Sequence, residues 1–129
     1  MRTLLDTHVF LWLLTEDPRL SPTARRLFLD EENQLFLSMA SVWEIAIKTS
    51  LGRLEFMEPI EDLLPRELRL NGIHLLPIEI GHALKLARLP FHHRDPFDRL
   101  LVAQSLAENL PLLSADNHLD AYPIKRFWQ

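Results

Sequence analysis

The chain has 129 residues, of which 47% are hydrophobic and 25% charged, with no cysteine and a formal net charge of −4. That length suits one domain spanning residues 1–129, and the balance of residue types excludes a disordered chain. The lack of thiols excludes disulfides, thiolate zinc sites and a cysteine nucleophile, and it suits a reducing cytoplasm. A protein that holds nucleic acid by phosphate neutralisation alone should be basic, so an acidic chain that binds a polyanion needs a cation to invert its local field.

Met1 and Arg2 followed by Leu4, Leu5 and Val9 to Leu14 give the outline of a signal peptide. Asp6 and His8 interrupt it, and no small-residue cleavage site follows. No run approaches the roughly 20 apolar residues of a membrane span. A cytoplasmic location without membrane association is therefore expected.

Along the chain, short apolar runs alternate with longer helical patterns. Strands are predicted at Thr3–Leu5, Gln34–Leu37, His74–Ile78 and Pro111–Ser114, with a fifth at Ile124–Phe127. The first strand runs directly into a helical pattern. Ser21 and Pro22 open another helix as N-cap and first residue, with Ala24, Leu27 and Phe28 as its apolar face. A further helix spans about Met39 to Leu51 and stops at Gly52. Ile60–Leu70 is helical in pattern, but Pro65 predicts a break or two short helices. Helices near Ile80–Leu89 and Pro96–Asn109 follow, then a short one near Asn117–Ala121. The segments between strands are long enough for crossover helices. This alternation predicts an α/β fold with a mostly parallel sheet of four to five strands, covered by helices on both faces.

The carboxylates carry the functional signal. Asp6 directly follows the first strand, and Asp116 follows the strand ending at Ser114 by one residue. Glu44 lies early in the helix after the second strand, and Asp98 lies in the first turn of the helix that Pro96 opens. In a parallel sheet, the carboxyl ends of the strands and the starts of the following helices share one edge, where ligands bind. Four acids from distant segments are thus predicted on one rim. A cluster of that kind needs a compensating charge, and an all-oxygen set suits Mg²⁺ or Mn²⁺ over Zn²⁺. Lys48, Arg94 and Arg99 are candidates for holding flanking phosphates.

Each acid also has a structural reading. Asp6 can simply end a strand. Glu44 stands three residues after Ser41, as in a capping box, and four before Lys48, as in a helix ion pair. Asp95 before Pro96 is a natural N-cap and a secondary ligand candidate. Asp98 favours the helix dipole without any ion, and Asp116 suits a turn or cap. His92 and His93 could contact phosphate or metal, but neighbouring loop side chains are expected to face solvent, while His8, His74, His82 and His118 have no ligand spacing among themselves. Trp12 and Trp43 are expected in the core, and Trp128 on the domain or on a partner.

Taken together, these segments resemble the PIN-domain family and, within it, the VapC-type toxins of bacterial toxin–antitoxin pairs. The resemblance rests on Leu-Leu-Asp-Thr-His-Val-Phe-Leu-Trp-Leu at the start and on Ser-Met-Ala-Ser-Val-Trp-Glu-Ile-Ala-Ile-Lys. It continues in His-His-Arg-Asp-Pro-Phe-Asp-Arg-Leu-Leu-Val-Ala-Gln and in Leu-Leu-Ser-Ala-Asp, and so spans Leu4 to about Asp116. It implies a three-layer α/β/α fold and cleavage of RNA that depends on Mg²⁺ or Mn²⁺. By position, Asp6, Glu44, Asp98 and Asp116 match the family's acidic set. Thr7 and Ser114 match hydroxyl positions that orient a carboxylate or a water. The resemblance also implies a homodimer and a small antitoxin that masks the site. The segments Val9–Leu14 and Ile45–Leu54 are expected to form the groove for an amphipathic helix of that partner. The alternative is a non-catalytic PIN-like module that binds RNA or protein. A haloacid dehalogenase-type phosphatase needs a second Asp where His8 stands, and a receiver domain needs a phosphoacceptor Asp where Pro77-Ile78-Glu79 stands.

Overall fold

A computed structural model describes residues 1–129. Five strands form one sheet: β1 (Arg2–Leu5), β2 (Gln34–Ser38), β3 (Ile73–Leu76), β4 (Leu112–Leu113) and β5 (Arg126–Phe127). Their order is β3-β2-β1-β4-β5, and every neighbouring pair is parallel. Helices α1 (Thr7–Leu14) and α2 (Pro22–Leu29) join β1 to β2, while α3 (Met39–Ser50) and α4 (Ile60–Leu70) join β2 to β3. Helices α5 (Ile80–Ala87) and α6 (Pro96–Glu108) lead to β4, and a 3-10 helix (Asn117–Ala121) leads to β5. No helix is long and apolar enough to cross a membrane.

Strand alternation sends side chains to two cores. Leu5, Leu35, Leu37, Ile73 and Leu113 pack with Val9, Phe10, Leu20, Ala24, Ile45 and Leu64 from α1 to α4. Leu4, Leu76 and Leu112 pack on the opposite face with Leu101, Val102 and Ala103 of α6 and with Tyr122. Both faces are covered, which gives the three-layer α/β/α sandwich. A doubly buried parallel sheet explains why its strands read as continuous apolar runs.

Element ends differ from the predicted ones where backbone donors run out. β3 stops at Leu76 instead of Ile78, because Pro77 has no N–H for the ladder. β4 and β5 are shorter than predicted, although Leu4 N–H still donates to Pro111 O at 2.9 Å and Ser114 N–H to Phe127 O at 3.2 Å. Pro65 does not break α4, which is continuous from Ile60 to Leu70. Leu63 and Leu64, just before the missing donor, are buried, and that packing outweighs one lost hydrogen bond. Helix α3 is capped by Ser38, whose hydroxyl accepts from Ala40 N–H at 3.0 Å, so Ser41 is not the capping-box residue. The helix ends before Gly52, which takes the left-handed φ of 72°.

The strand order matters for function. From β1 the chain moves to β2 and β3 on one side, then returns to place β4 on the other side. The switch point therefore lies between β1 and β4, where the carboxyl ends of two adjacent strands face away from each other's crossover helices and leave a crevice.

Candidate active site

Asp6 and Asp116 flank that crevice from the ends of β1 and β4. Asp6 caps α1: its Oδ1 accepts from His8 N–H at 3.2 Å. Its Oδ2 accepts from the Ser114 hydroxyl at 2.5 Å, a contact between residues 108 positions apart that ties β1 to β4. Ser114 Oγ in turn accepts from Asp116 N–H at 3.1 Å. Asp116 caps the 3-10 helix through His118 N–H at 3.0 Å. Its turn and cap geometry coexists with its place on the rim.

Asp98 reaches the same crevice from the third position of α6. Asp95 precedes it as the N-cap, accepting from Phe97 N–H at 2.8 Å and from Asp98 N–H at 3.3 Å. Asp6, Asp98 and Asp116 line one cavity of about 390 Å³ with His8, Trp12, Arg19 and Ala115. Glu44 does not line this cavity, although its charge acts on Asp98 and His8; it is 3% exposed, and its Oε2 pairs with Lys48 Nζ at 2.7 Å. Its Oε1 is buried without any partner.

The electrostatics reveal a charge deficit. Burial, followed by repulsion from Asp6 and Asp95, pushes the Asp98 carboxyl up to about 7, despite a favourable contribution from His93. On Asp116 burial acts upward too, but the backbone N–H and ring of His118, together with His93, hold it below its ordinary value. The hydrogen bond to Asp6 raises His8. A divalent cation fits this environment. It would give the orphaned Glu44 Oε1 a counter-charge and remove the repulsion that keeps a proton on Asp98. The oxygen donors suit a hard ion.

The raised Asp98 makes the metal-free protein sensitive to pH. Between about pH 4 and about pH 7 the folded state holds a proton on Asp98 that the unfolded chain has released. The stability contributed by this group is complete below pH 4 and is lost as pH rises through 7. Solvent reaches this rim, so we expect a loss of roughly 2 kcal/mol, about half the unscreened value. Chemical denaturation of metal-stripped protein across that range, beside Asp98→Asn, measures it. The slope should be shallower in the variant, and equal slopes would assign it to other groups.

Several side chains stand elsewhere than the sequence suggested. Arg99 is not a phosphate contact. It is 7% exposed, its guanidinium donates to Leu89 O at 3.1 Å and Leu86 O at 3.4 Å, and it stacks on the Phe91 ring at 4.1 Å. Lys48 is committed to Glu44, while Arg94 is exposed beside the Asp95 cap. Thr7 is buried and donates to Ser41 Oγ at 2.7 Å, so it braces α1 against α3 and does not touch Asp6. Trp43 is not core: it is 59% exposed and meets Phe97 edge-on at 5.4 Å. Trp12 is half-buried against Trp128 at 5.7 Å, which places the C-terminal Trp on the domain itself. Val9 and Phe10 are fully buried, so this part of α1 offers no groove.

Two residues stand on the crevice where the sequence reading had not placed them: Arg19 was not singled out, and His93 was expected to face solvent. Arg19 lines the cavity, stacked over Trp12 at 4.9 Å and paired with Asp17 at 2.7 Å. His93 turns inward, with Nε2 at 3.3 Å from Asp116 Oδ2 and 3.5 Å from Asp98 Oδ2. Its only sequence signal was its position two residues before an N-cap, and that does not fix a direction.

Comparison with known proteins follows the same line. The family model described as PIN domain matches residues 3–125. Ribonuclease VapC16 of Mycobacterium tuberculosis is 39% identical over 70 residues, which cover 51% of this chain and 48% of that protein. The chain thus matches about half the length of this curated relative. The structure of VapBC2 from Rickettsia felis bound to a promoter DNA fragment aligns with a TM-score of 0.75 at 14% identity, over 100% of both chains. DNA-bound VapBC from Salmonella typhimurium aligns at 0.73 and 14% identity, over 100% of this chain and 99% of that one. FitAcB from Neisseria gonorrhoeae aligns at 0.64 and 19% identity, over 98% and 96%. At these identities the structural likeness establishes the fold.

Proposed function

Since the chain belongs to the PIN domain family, we propose that it is a metal-dependent endoribonuclease that hydrolyses RNA phosphodiester bonds, and that it serves as the toxin of a toxin–antitoxin pair. The observation that carries this reading is the convergence of Asp6, Asp98 and Asp116 on one cavity, together with the unpartnered Oε1 of the buried Glu44, whose charge acts on Asp98. The curated relative is named a ribonuclease, which supports the same activity. Mg²⁺ or Mn²⁺ is the proposed cofactor, held by Asp6, Glu44, Asp98 and Asp116.

A bound divalent cation would supply charge neutralisation of the phosphodiester and a lowered pKa for the attacking water. The chain's own residues set the stage for it. Ser114 and the His8 N–H fix the rotamer of Asp6, which leaves its remaining lone pairs directed at the crevice. Asp95 aligns the first turn of α6 and so sets the height of Asp98. Lys48 holds Glu44 by one oxygen and leaves the other free. Arg19, at the cavity wall, and the exposed Arg94 supply positive charge for flanking phosphates. Hydrolysis by water with departure of the 3′-oxygen leaves 5′-phosphate and 3′-hydroxyl ends.

The proposed partners are RNA, a second copy of the chain and a small antitoxin. The likeness to VapBC complexes supports the last. So does a cleft of about 760 Å³ between the end of α3 and the start of α4, lined by Leu54, Phe56 and Ile60 together with Glu55, Glu61 and Glu58, the last paired with Arg66. A lining that mixes apolar and acidic side chains suits a basic amphipathic segment. Cleavage of RNA under titration of Mg²⁺ and Mn²⁺, with analysis of the product ends, tests the enzymatic reading. We expect activity that chelation abolishes and metal restores. Cleavage that survives chelation, or 2′,3′-cyclic phosphate ends, would refute it, and binding without cleavage would favour a non-catalytic module.

A further inference from the structure

The loop before α6 is held in place by contacts that are distant in sequence. The Tyr122 hydroxyl donates to Pro90 O at 2.8 Å and accepts from the backbone N–H groups of His92 at 3.1 Å and His93 at 3.2 Å. One buried phenol thereby pins the backbone of residues 90–93 against the 3-10 helix. The His93 ring is then fixed from its other end, because Asp95 N–H donates to Nδ1 at 3.2 Å.

That bond decides the chemistry of the ring. A neutral imidazole has one N–H and one acceptor nitrogen. With Nδ1 accepting, the hydrogen-bond network assigns the proton to Nε2. Nε2 is the nitrogen that lies 3.3 Å from Asp116 Oδ2 and 3.5 Å from Asp98 Oδ2. The ligating atoms of His93, Asp98 and Asp116 all lie within 4.8 Å of one another, close enough for a three-residue metal site. The protonated Nε2 has no lone pair to give a metal, so distance alone misassigns the histidine. It is a donor hydrogen-bonded to Asp116 Oδ2, with Asp98 Oδ2 beside it at ion-pair distance.

We propose that His93 is a positioning residue for the cation site: its Nε2–H, locked in direction by Asp95 and Tyr122, holds the Asp98 and Asp116 carboxylates convergent and stays outside the coordination sphere. This inference rests on the reading that these acids bind a divalent cation. Each carboxylate oxygen has two lone pairs, so accepting from His93 leaves capacity for a metal. Asp98 lies in the first turn of α6 and Asp116 just beyond β4, and His93 is the side chain that pairs with both carboxylates. Without the donor their like charges would drive the side chains apart. Loss of such an outer partner typically weakens metal affinity about 10- to 100-fold.

Mn²⁺ binding by calorimetry, with pulsed EPR of the bound ion, tests the proposal without reference to RNA. The proteins are wild type, His93→Ala and His93→Gln, each metal-stripped and checked for folding by thermal unfolding. Gln places an amide N–H donor at about the reach of Nε2. We expect His93→Ala to bind Mn²⁺ about 10- to 100-fold more weakly and His93→Gln to recover most of the affinity. The EPR spectrum of the wild type should lack the coupling of a directly coordinated imidazole nitrogen. Such a coupling that disappears in His93→Ala, or equal losses in both variants, would make His93 a ligand and overturn the proposal. Unchanged affinity in His93→Ala would overturn it as well. A wild-type protein that binds no Mn²⁺ would overturn the cation reading itself and this inference with it.

Discussion

Asp98→Asn is expected to abolish RNA cleavage while raising the melting temperature of the metal-free protein. Loss of activity should be at least about a hundredfold, the upper end of what removal of an outer-shell partner alone costs. The stability gain follows from the charge deficit: Asp98 sits near Asp6, Asp95 and Glu44, all of which raise its pKa. Above about pH 7, where Asp98 is ionised, a neutral amide of the same shape relieves that repulsion. About 1 kcal/mol is expected, or roughly 3–5 °C for a chain of this size. Asp6→Asn and Asp116→Asn should lose activity equally, with stability near that of the wild type. Glu44→Gln differs, because it leaves Lys48 without its 2.7 Å partner and should therefore gain nothing. Asp95→Ala is the control. It removes two N-cap bonds and should cost roughly 0.5–2 kcal/mol with or without metal. Thermal unfolding and RNA cleavage on the same variants decide the matter. An Asp98→Asn protein that melts lower and still cuts would reduce the residue to a helix-dipole role.

Arg99→Ala should do the opposite: destabilise strongly, by about 3 kcal/mol, and leave the affinity for RNA unchanged. The guanidinium donates to Leu86 O and Leu89 O just past α5, and its removal leaves the Leu89 carbonyl without that partner, while Leu86 O keeps the Leu89 N–H at 3.1 Å. The stem and the stacking on Phe91 are lost as well. Arg99→Lys should recover only part, since one ammonium cannot span both acceptors and stack. Denaturant unfolding beside RNA binding to a catalytically dead background separates the roles. Undiminished stability with weakened RNA binding would return Arg99 to the phosphate contacts.

These two residues illustrate what could be read in the chain beforehand. The convergence of Asp6, Asp98 and Asp116 on one cavity was legible because position along a strand or in a helix's first turn fixes which edge of a parallel sheet a residue occupies. The sheet itself was legible from apolar runs with crossover-length gaps. Arg99 was misread although periodicity held the clue: Val102 and Ala103 follow at helical spacing and are buried, so the same face carries Arg99 inward. Trp43 erred in the other direction, since its neighbour Val42 takes the packed side of α3 and leaves the indole outside. His93 was illegible for a different reason. Its direction depends on Tyr122, 29 residues away, and on the tautomer that Asp95 selects. Arg19 likewise gains meaning only through its stacking on Trp12.

The central claim is that Asp6, Glu44, Asp98 and Asp116 form one cation site. The most direct measurement is the melting temperature of wild type, Asp6→Asn and Asp116→Asn with and without saturating Mn²⁺. Binding to the native state alone stabilises by about 2.7 kcal/mol when the free ion is at a hundred times its dissociation constant. The wild type should therefore melt several degrees higher with Mn²⁺, and the rise should vanish in both variants. A Mn²⁺-induced rise that persists undiminished in Asp6→Asn and in Asp116→Asn would place the ion elsewhere and contradict the account.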